Sequence, residues 1–180
     1  SRSIFSISPA MSIRKALGAY KWSKNEAVDQ DVVAAITSEA DYSADPDEQF
    51  LFTSPALRYD FPYISAMEAW LCVTNKRIFL WKGKWQSLEE MAVPNINQID
   101  VSTLTRFRMG NVRIYGIPLP MNALLIKGRF FNGNDPSDSS CDEKRRERIH
   151  IRKGAKGIEY FAEACAQLGL VMGDPGLNGD

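Results

Sequence analysis

Apolar and polar positions follow two different periods along this 180-residue chain. Val28, Val32, Ala35 and Ile36 recur at helical spacing on one face, behind Ser23-Lys24-Asn25-Glu26. That tetrad reads as a capping box and predicts a helix over about 24–39. Strand-like runs begin at Gln49-Phe50-Leu51-Phe52-Thr53 and continue through the aromatic stretch Leu57–Tyr63, broken by Pro55 and Pro62. The run Trp70–Trp81 holds two apolar strands around Asn75-Lys76, and Asn suits the backbone of a two-residue turn. Lys82-Gly83-Lys84 predicts a turn into Trp85–Leu88, and Val93–Val101 a turn entering a further strand.

Arg106–Tyr115, with Gly110-Asn111 at its centre, predicts a second hairpin. That turn would pair Met109 with Val112, Arg108 with Arg113, Phe107 with Ile114 and Arg106 with Tyr115. Alternation then puts Phe107, Met109, Val112 and Ile114 on one face and the three arginines with Tyr115 on the other. Ala123–Phe131 is another strand. Asn132–Glu143 is a loop, and Arg148–Arg152 alternates with Ile149 and Ile151 inward. The period returns to helical at the end: Ile158, Phe161, Ala162, Cys165 and Leu168 form one stripe, closed by Gly169 at a C-terminal cap position.

Several strands followed by a closing amphipathic helix describe an α+β protein with a capped β-barrel or sandwich. Leu71–Leu80, containing Val73-Thr74-Asn75-Lys76-Arg77-Ile78, and the proline-led turn at Val93–Val101 resemble a bacterial pleckstrin-homology-like (PH-like, GRAM-type) domain over about residues 49–170. The resemblance implies two packed antiparallel sheets plugged at one end by the last helix. It also implies a binding module and no enzyme. The expected division is an N-terminal arm, helix and acidic linker over 1–48, the PH-like domain over 49–172, and a flexible tail over 173–180. Lipid-binding members place bases around the first hairpin loop. Here Ser54–Ala69 offers Arg58 beside Asp60 and Glu68, which argues against phosphoinositide-headgroup binding.

Net charge is zero, but the charges are segregated. Residues 1–25 carry five bases and no acid, and residues 26–68 carry ten acids against Arg58 alone. Residues 101–131 have no acid, and residues 144–156 hold seven bases against Glu147. If the later strands form a meander, one solvent face gathers Arg106, Arg108, Arg113, Lys127, Arg129, Arg148 and Arg152, with His150 among them. Arg108 opposite Arg113 would be a like-charge pair that needs neutralising. An acidic protein partner, an anionic lipid surface or the chain's own 26–48 segment could each do so. Nucleic acid is disfavoured, because no RNA-binding sheet signature accompanies Tyr115 and Phe131.

The N-terminal 22 residues mix apolar groups, including Trp22, with bases. They read as a membrane-surface helix with Trp22 at the interface or a transit-like leader, or else as a helix or arm packed on the domain or in part a cloning remnant before Met11. No apolar run approaches the about 20 residues of a spanning helix. Cys72, Cys141 and Cys165 lack metal-ligand spacing and read as buried thiols in a reducing, cytoplasmic compartment, with the inner face of the membrane as the alternative location. Asp135, Asp138, Asp142 and Glu143 do not match a calcium loop, and His150 lies in a strand between isoleucines. No catalytic, metal or cofactor site is expected. The expected partners are a protein or a second copy of the chain.

Overall fold

A computed structural model describes residues 26–39, 42–60, 66–81, 96–114, 117–132 and 143–177. The elements are α1 (Gln30–Thr37), β1 (Phe50–Asp60), β2 (Ala66–Thr74), β3 (Ile78–Trp81), β4 (Ile96–Ile99), β5 (Arg106–Ile114), β6 (Ile117–Asn132), β7 (Glu143–Ile151) and α2 (Gly154–Ala166). Short 3-10 turns cover Val101–Thr103 and Pro175–Leu177. The predicted turn at Lys82–Lys84 and the strand after it lie outside the described residues.

The strands form one antiparallel sheet in the order β4-β3-β2-β1-β7-β6-β5 rather than the two expected sheets. The reason is the length of β6, which runs for 16 residues. Its first part pairs with β5, and its last residues, Phe130–Asn132, pair with Asn97–Ile99 of β4. That second pairing closes the sheet on itself and removes most of its edge.

Alternation along each strand fills the interior. Phe52, Ala56, Ala69, Leu71, Val73, Ile78, Leu80, Ile99, Phe107, Leu124, Ile126, Phe130, Ile149 and Ile151 belong to one buried cluster. Both isoleucines of Arg148–Arg152 point inward, as the sequence predicts. Helix α2 supplies Phe161, Ala164 and Cys165 to the same cluster. The Phe161 ring lies 5.4 Å from that of Phe52 and 6.0 Å from that of Phe107. The helix therefore inserts its apolar stripe between strands that no direct ladder joins. It ends as predicted: Gly169 has φ of 75°, and the Leu170 N–H donates to the Cys165 carbonyl at 3.0 Å.

Ala69–Thr74 of β2 and all of β3 are buried on both faces, which is why their sequence reads as a nearly continuous apolar run. Their outward residues Trp70, Cys72, Phe79 and Trp81, with Ile96 of β4, form a second cluster under Val32 and Ile36 of α1. Helix α1 starts at Gln30 and not near residue 24. Residues 27–29 run beside β1 instead. The Thr53 N–H donates to the Ala27 carbonyl at 2.9 Å, and the Asp29 N–H donates to Thr53 Oγ1 at 2.8 Å. With those groups committed to β1, the helix begins only after Asp29, whose carboxylate accepts from the Asp31 N–H at 2.9 Å as its N-cap. Ser23 of the predicted capping box lies outside the described residues.

The Asn75-Lys76 turn forms as predicted, with Val73 opposite Ile78 and Trp70 opposite Trp81. Its side chains also hold the segment before β1. Thr74 Oγ1 accepts from the Lys76 and Arg77 N–H groups, both at 3.1 Å, and donates to Glu48 Oε1 at 2.7 Å. Asn75 exchanges two bonds with Gln49, of 2.9 and 3.0 Å. Arg77 donates to both Glu48 oxygens at 2.8 and 3.1 Å, to the Ser43 carbonyl at 2.8 Å and to Gln98 Oε1 at 3.2 Å. Its guanidinium lies 4.9 Å from the Tyr42 ring centroid. Both ionic side chains are buried, at 8% and 2% exposure.

The second hairpin differs from the prediction. β5 runs straight through Gly110-Asn111, and the chain reverses between Ile114 and Ile117, which are register partners. Gly110 serves close packing rather than a turn: a Cβ there would stand 2.5 Å from Leu125 Cδ1. Arg108 consequently faces Leu125, and Arg113 faces Pro118. The predicted Arg108–Arg113 pair does not exist. Pro55 is accommodated inside β1 because the β7 ladder stops at Ala56, where only the Pro55 carbonyl is used, accepting from the Arg152 N–H.

Lys153, just before α2, closes the N-terminal segment from the other side. Its Nζ donates to the Thr53 carbonyl at 2.9 Å and to the Ala27 carbonyl at 3.3 Å, and lies 5.4 Å from the Phe52 ring centroid. Burial pushes its pKa down to about 8 against the opposing pull of Asp29 and Glu26.

Two outcomes follow from this packing. Glu48→Ala leaves the Arg77 charge buried and is expected to cost about 3–5 kcal/mol in denaturant unfolding, whereas the Glu48→Leu/Arg77→Met double variant costs less. For Lys153, the unfolded chain holds a proton that the folded chain has released between about pH 8 and about pH 10.5, so its effect on stability rises with pH in that window. The unfolding free energy of the parent relative to Lys153→Met should therefore increase from about pH 7.5 to about pH 9.5. A pH-independent difference would contradict this reading of the amine.

Candidate functional site

The bases predicted to share a face are placed by strand register. The Phe107, Leu124, Ile126 and Ile149 side chains point into the barrel, so Arg106, Arg108, Leu125, Lys127 and Arg148 point out. Arg106 stands opposite Lys127. Arg108 stands opposite Leu125, which stands opposite Arg148 on β7. Two adjacent cross-strand rows thus bring these four bases together. The like-charge pair exists, but it is Arg106–Lys127.

Leu125 is 4% exposed although it faces outward. It leans over Gly110, and Arg108 Nη1 lies 3.5 Å from where a Gly110 Cβ would stand. The aliphatic parts of long basic side chains can cover such a residue while their charged ends reach water. Ala123 is likewise buried in the next row, opposite half-buried His150. The resulting surface, among the described residues, is a basic wall with its apolar residues recessed.

The remaining predicted residues are distributed differently. Arg129 is drawn aside by Asp100, with Nη1 3.1 Å from Oδ2, and its guanidinium lies 5.3 Å from the Phe131 ring centroid. Burial raises the Asp100 pKa, but hydrogen bonds from Ser102 and Arg129 outweigh it and hold the carboxyl below its usual value. Arg152 is exposed just past the end of β7. Arg113 lies in β5 beyond a register shift at Asn111/Val112, and its side chain lies outside the described residues. Trp22 also lies outside them. Arg106, Lys127, Arg148 and His150 each have an interaction within the chain. Among the described residues, Arg108 and Arg152 form no ion pair.

The described part of the acidic segment docks elsewhere. α1 covers the outer face of β2, β3 and β4, Glu48 binds Arg77, and Asp47 lies 3.2 Å from Lys76 Nζ. Arg58, read from the sequence as the one base of a loop region, sits within β1 at 1% exposure, opposite Met67 and Ile149. It shares the inward side of β1 with Phe52 and Ala56, so it is no surface base.

Sequence reasoning found the hairpin but missed the Glu48–Arg77 pair and the Lys153 contact. For the pair, the available signal was the acids Asp47-Glu48 just before β1 and the bases Lys76-Arg77 at a turn, and nothing in the spacing joins them. Cys72 and Cys165 are buried as expected. Desolvation pushes both thiols up, that of Cys165 to about 12, which leaves neither poised as a nucleophile. Cys141 and the acidic loop before Glu143 lie outside the described residues. Among the described residues no three potential ligands cluster around a metal position, and no helix is long and apolar enough to cross a membrane.

Set against family models, curated proteins and solved structures, the chain gives no significant match.

Proposed function

We propose that this chain is a non-catalytic, PH-like interaction module that docks an acidic protein surface through the outer wall of β5, β6 and β7. The observation that carries the reading is the placing of Arg106, Arg108, Lys127 and Arg148 in adjacent rows, while the described part of the 26–48 acidic segment is committed to another wall. A closed antiparallel barrel with a helix inserted at one end, and the Thr74–Arg77 turn, support the PH-like assignment. No catalytic step is assigned to any residue. A cytoplasmic setting fits two buried, unreactive thiols.

A protein partner is preferred to an anionic membrane because the outward side chains described on this wall offer charge and no exposed apolar group. Interfacial binding draws on exposed apolar side chains as well as bases. On this wall the outward apolar residues Ala123 and Leu125 are buried. Charge complementarity across such a face instead suits a folded or extended polypeptide and sets register as well as affinity.

The competing occupants separate in one comparison. Polyglutamate labelled for fluorescence anisotropy, and vesicles containing anionic phospholipid, are each titrated with the full chain at low and high salt. The proposal expects salt-sensitive polyglutamate binding that weakens about ten-fold or more in Arg106→Glu/Arg108→Glu, with circular dichroism unchanged. Binding to vesicles without binding to polyglutamate would shift the assignment to peripheral membrane association. Binding to neither would overturn the basic wall as a docking site.

A further inference from the structure

We infer that the outer edge of β5, with which no described strand pairs, receives an extended acidic peptide from a partner protein as an added strand. This inference rests on the docking role proposed for the basic wall and specifies how a partner engages it.

Barrel closure bypasses β5. β4 pairs with the end of β6, at Asn97–Ile99 against Phe130–Asn132, whereas β5 pairs with the earlier part of β6. β5 is the last strand in the sheet order, and among the described residues no strand pairs with its other side. A strand edge of this kind presents N–H and C=O groups in a row and is a template for another chain.

The tail identifies which groups face that edge. The Gly173 N–H donates to the Phe107 carbonyl at 3.2 Å. That carbonyl therefore points away from β6. Within an antiparallel strand, a residue's N–H and C=O point to the same side, and the side alternates from one residue to the next. Met109 and Asn111 accordingly face the outer edge with Phe107. The tail occupies the first rung and its turn Pro175–Leu177 lies against β5, but among the described residues it makes no backbone hydrogen bond to Met109.

The side chains fix the chemistry of the guest. On the outer side of β5 stand Arg106 and Arg108, both half-exposed. On the inner side stands Met109, partly buried against the core. Val171, two residues before Gly173, is 60% exposed and is the exposed large hydrophobic residue among those described. A strand laid beside β5 would set alternate residues beside the arginines and the others toward Met109 and Val171. The guest is therefore an extended segment in which acidic and apolar residues alternate. Arg108 is the base best placed to meet it.

The test varies the peptide, so the protein stays intact. The full chain is titrated with three capped peptides: Glu-Val-Glu-Val-Glu-Val, the same residues in blocks, and the alternating peptide N-methylated on the residues that would face β5. Backbone amide shifts and hydrogen exchange are read by NMR. Strand addition predicts that the alternating peptide slows exchange at the Met109 and Asn111 amides, that Arg108→Glu weakens it, and that N-methylation weakens it about ten-fold or more. If the N-methylated and blocked peptides bind as well as the alternating one, strand addition is overturned while charge-based docking survives. If no peptide binds and polyglutamate does not bind either, both readings fail together.

Discussion

The ion pair between Glu48 and Arg77 is the constraint on which the arrangement of this molecule depends. Both side chains are nearly removed from water, a condition that is costly unless each polar atom finds a partner. The partners come from three separate stretches of chain. Arg77 reaches both oxygens of Glu48, the Ser43 carbonyl and Gln98 of β4, while Thr74 adds its hydroxyl to the same carboxylate. The two-residue turn is thereby tied to the segment before β1 and to the neighbouring strand. Such a pair adds little net stability over an apolar replacement, but it leaves few alternative arrangements in which the charges remain satisfied.

That constraint sets where the rest of the chain can go. With Glu48 fixed at the turn and residues 27–29 fixed along β1, α1 is held at both ends across the outer face of β2, β3 and β4. Its acidic flanks are consequently kept from the basic wall. The rows of Arg106, Arg108, Lys127 and Arg148 thus stand on a different wall from the described part of the 26–48 acidic segment, and β5 at their border is paired on its outer side by no described strand.

Much of this was legible in the sequence, and the exceptions have physical causes. The Trp70–Trp81 hairpin, the inward Ile149 and Ile151, and the helix closed by Gly169 were all readable, because local turn chemistry and periodicity determine them. The Gly110-Asn111 turn was not, because glycine has two uses in a strand. Here its missing side chain makes room for Leu125 rather than freeing a turn. The start of α1 was displaced because Thr53, 24 residues away from Asp29, claims that residue's N–H. The single closed sheet depended on the length of β6, which begins at Ile117 rather than at the Ala123 read from the sequence. Of the candidate site, the membership of Arg106, Arg108, Lys127 and Arg148 was readable from alternation. The diversion of Arg129 to Asp100 and the burial of Arg58 were not, since both depend on contacts between distant segments.

A chain clamped in this way should open as one body. Native-state hydrogen exchange measured at Ala35 and Ile36 of α1 and at Phe79 and Leu80 of β3 reads this directly. If the buried pair joins the N-terminal segment to the barrel, these amides share one opening free energy, and in Arg77→Met the α1 amides lose protection well before those of β3. Rapid exchange throughout α1 in the unaltered protein, with β3 still protected, would show that the helix is an independent arm and that the clamp does not hold it.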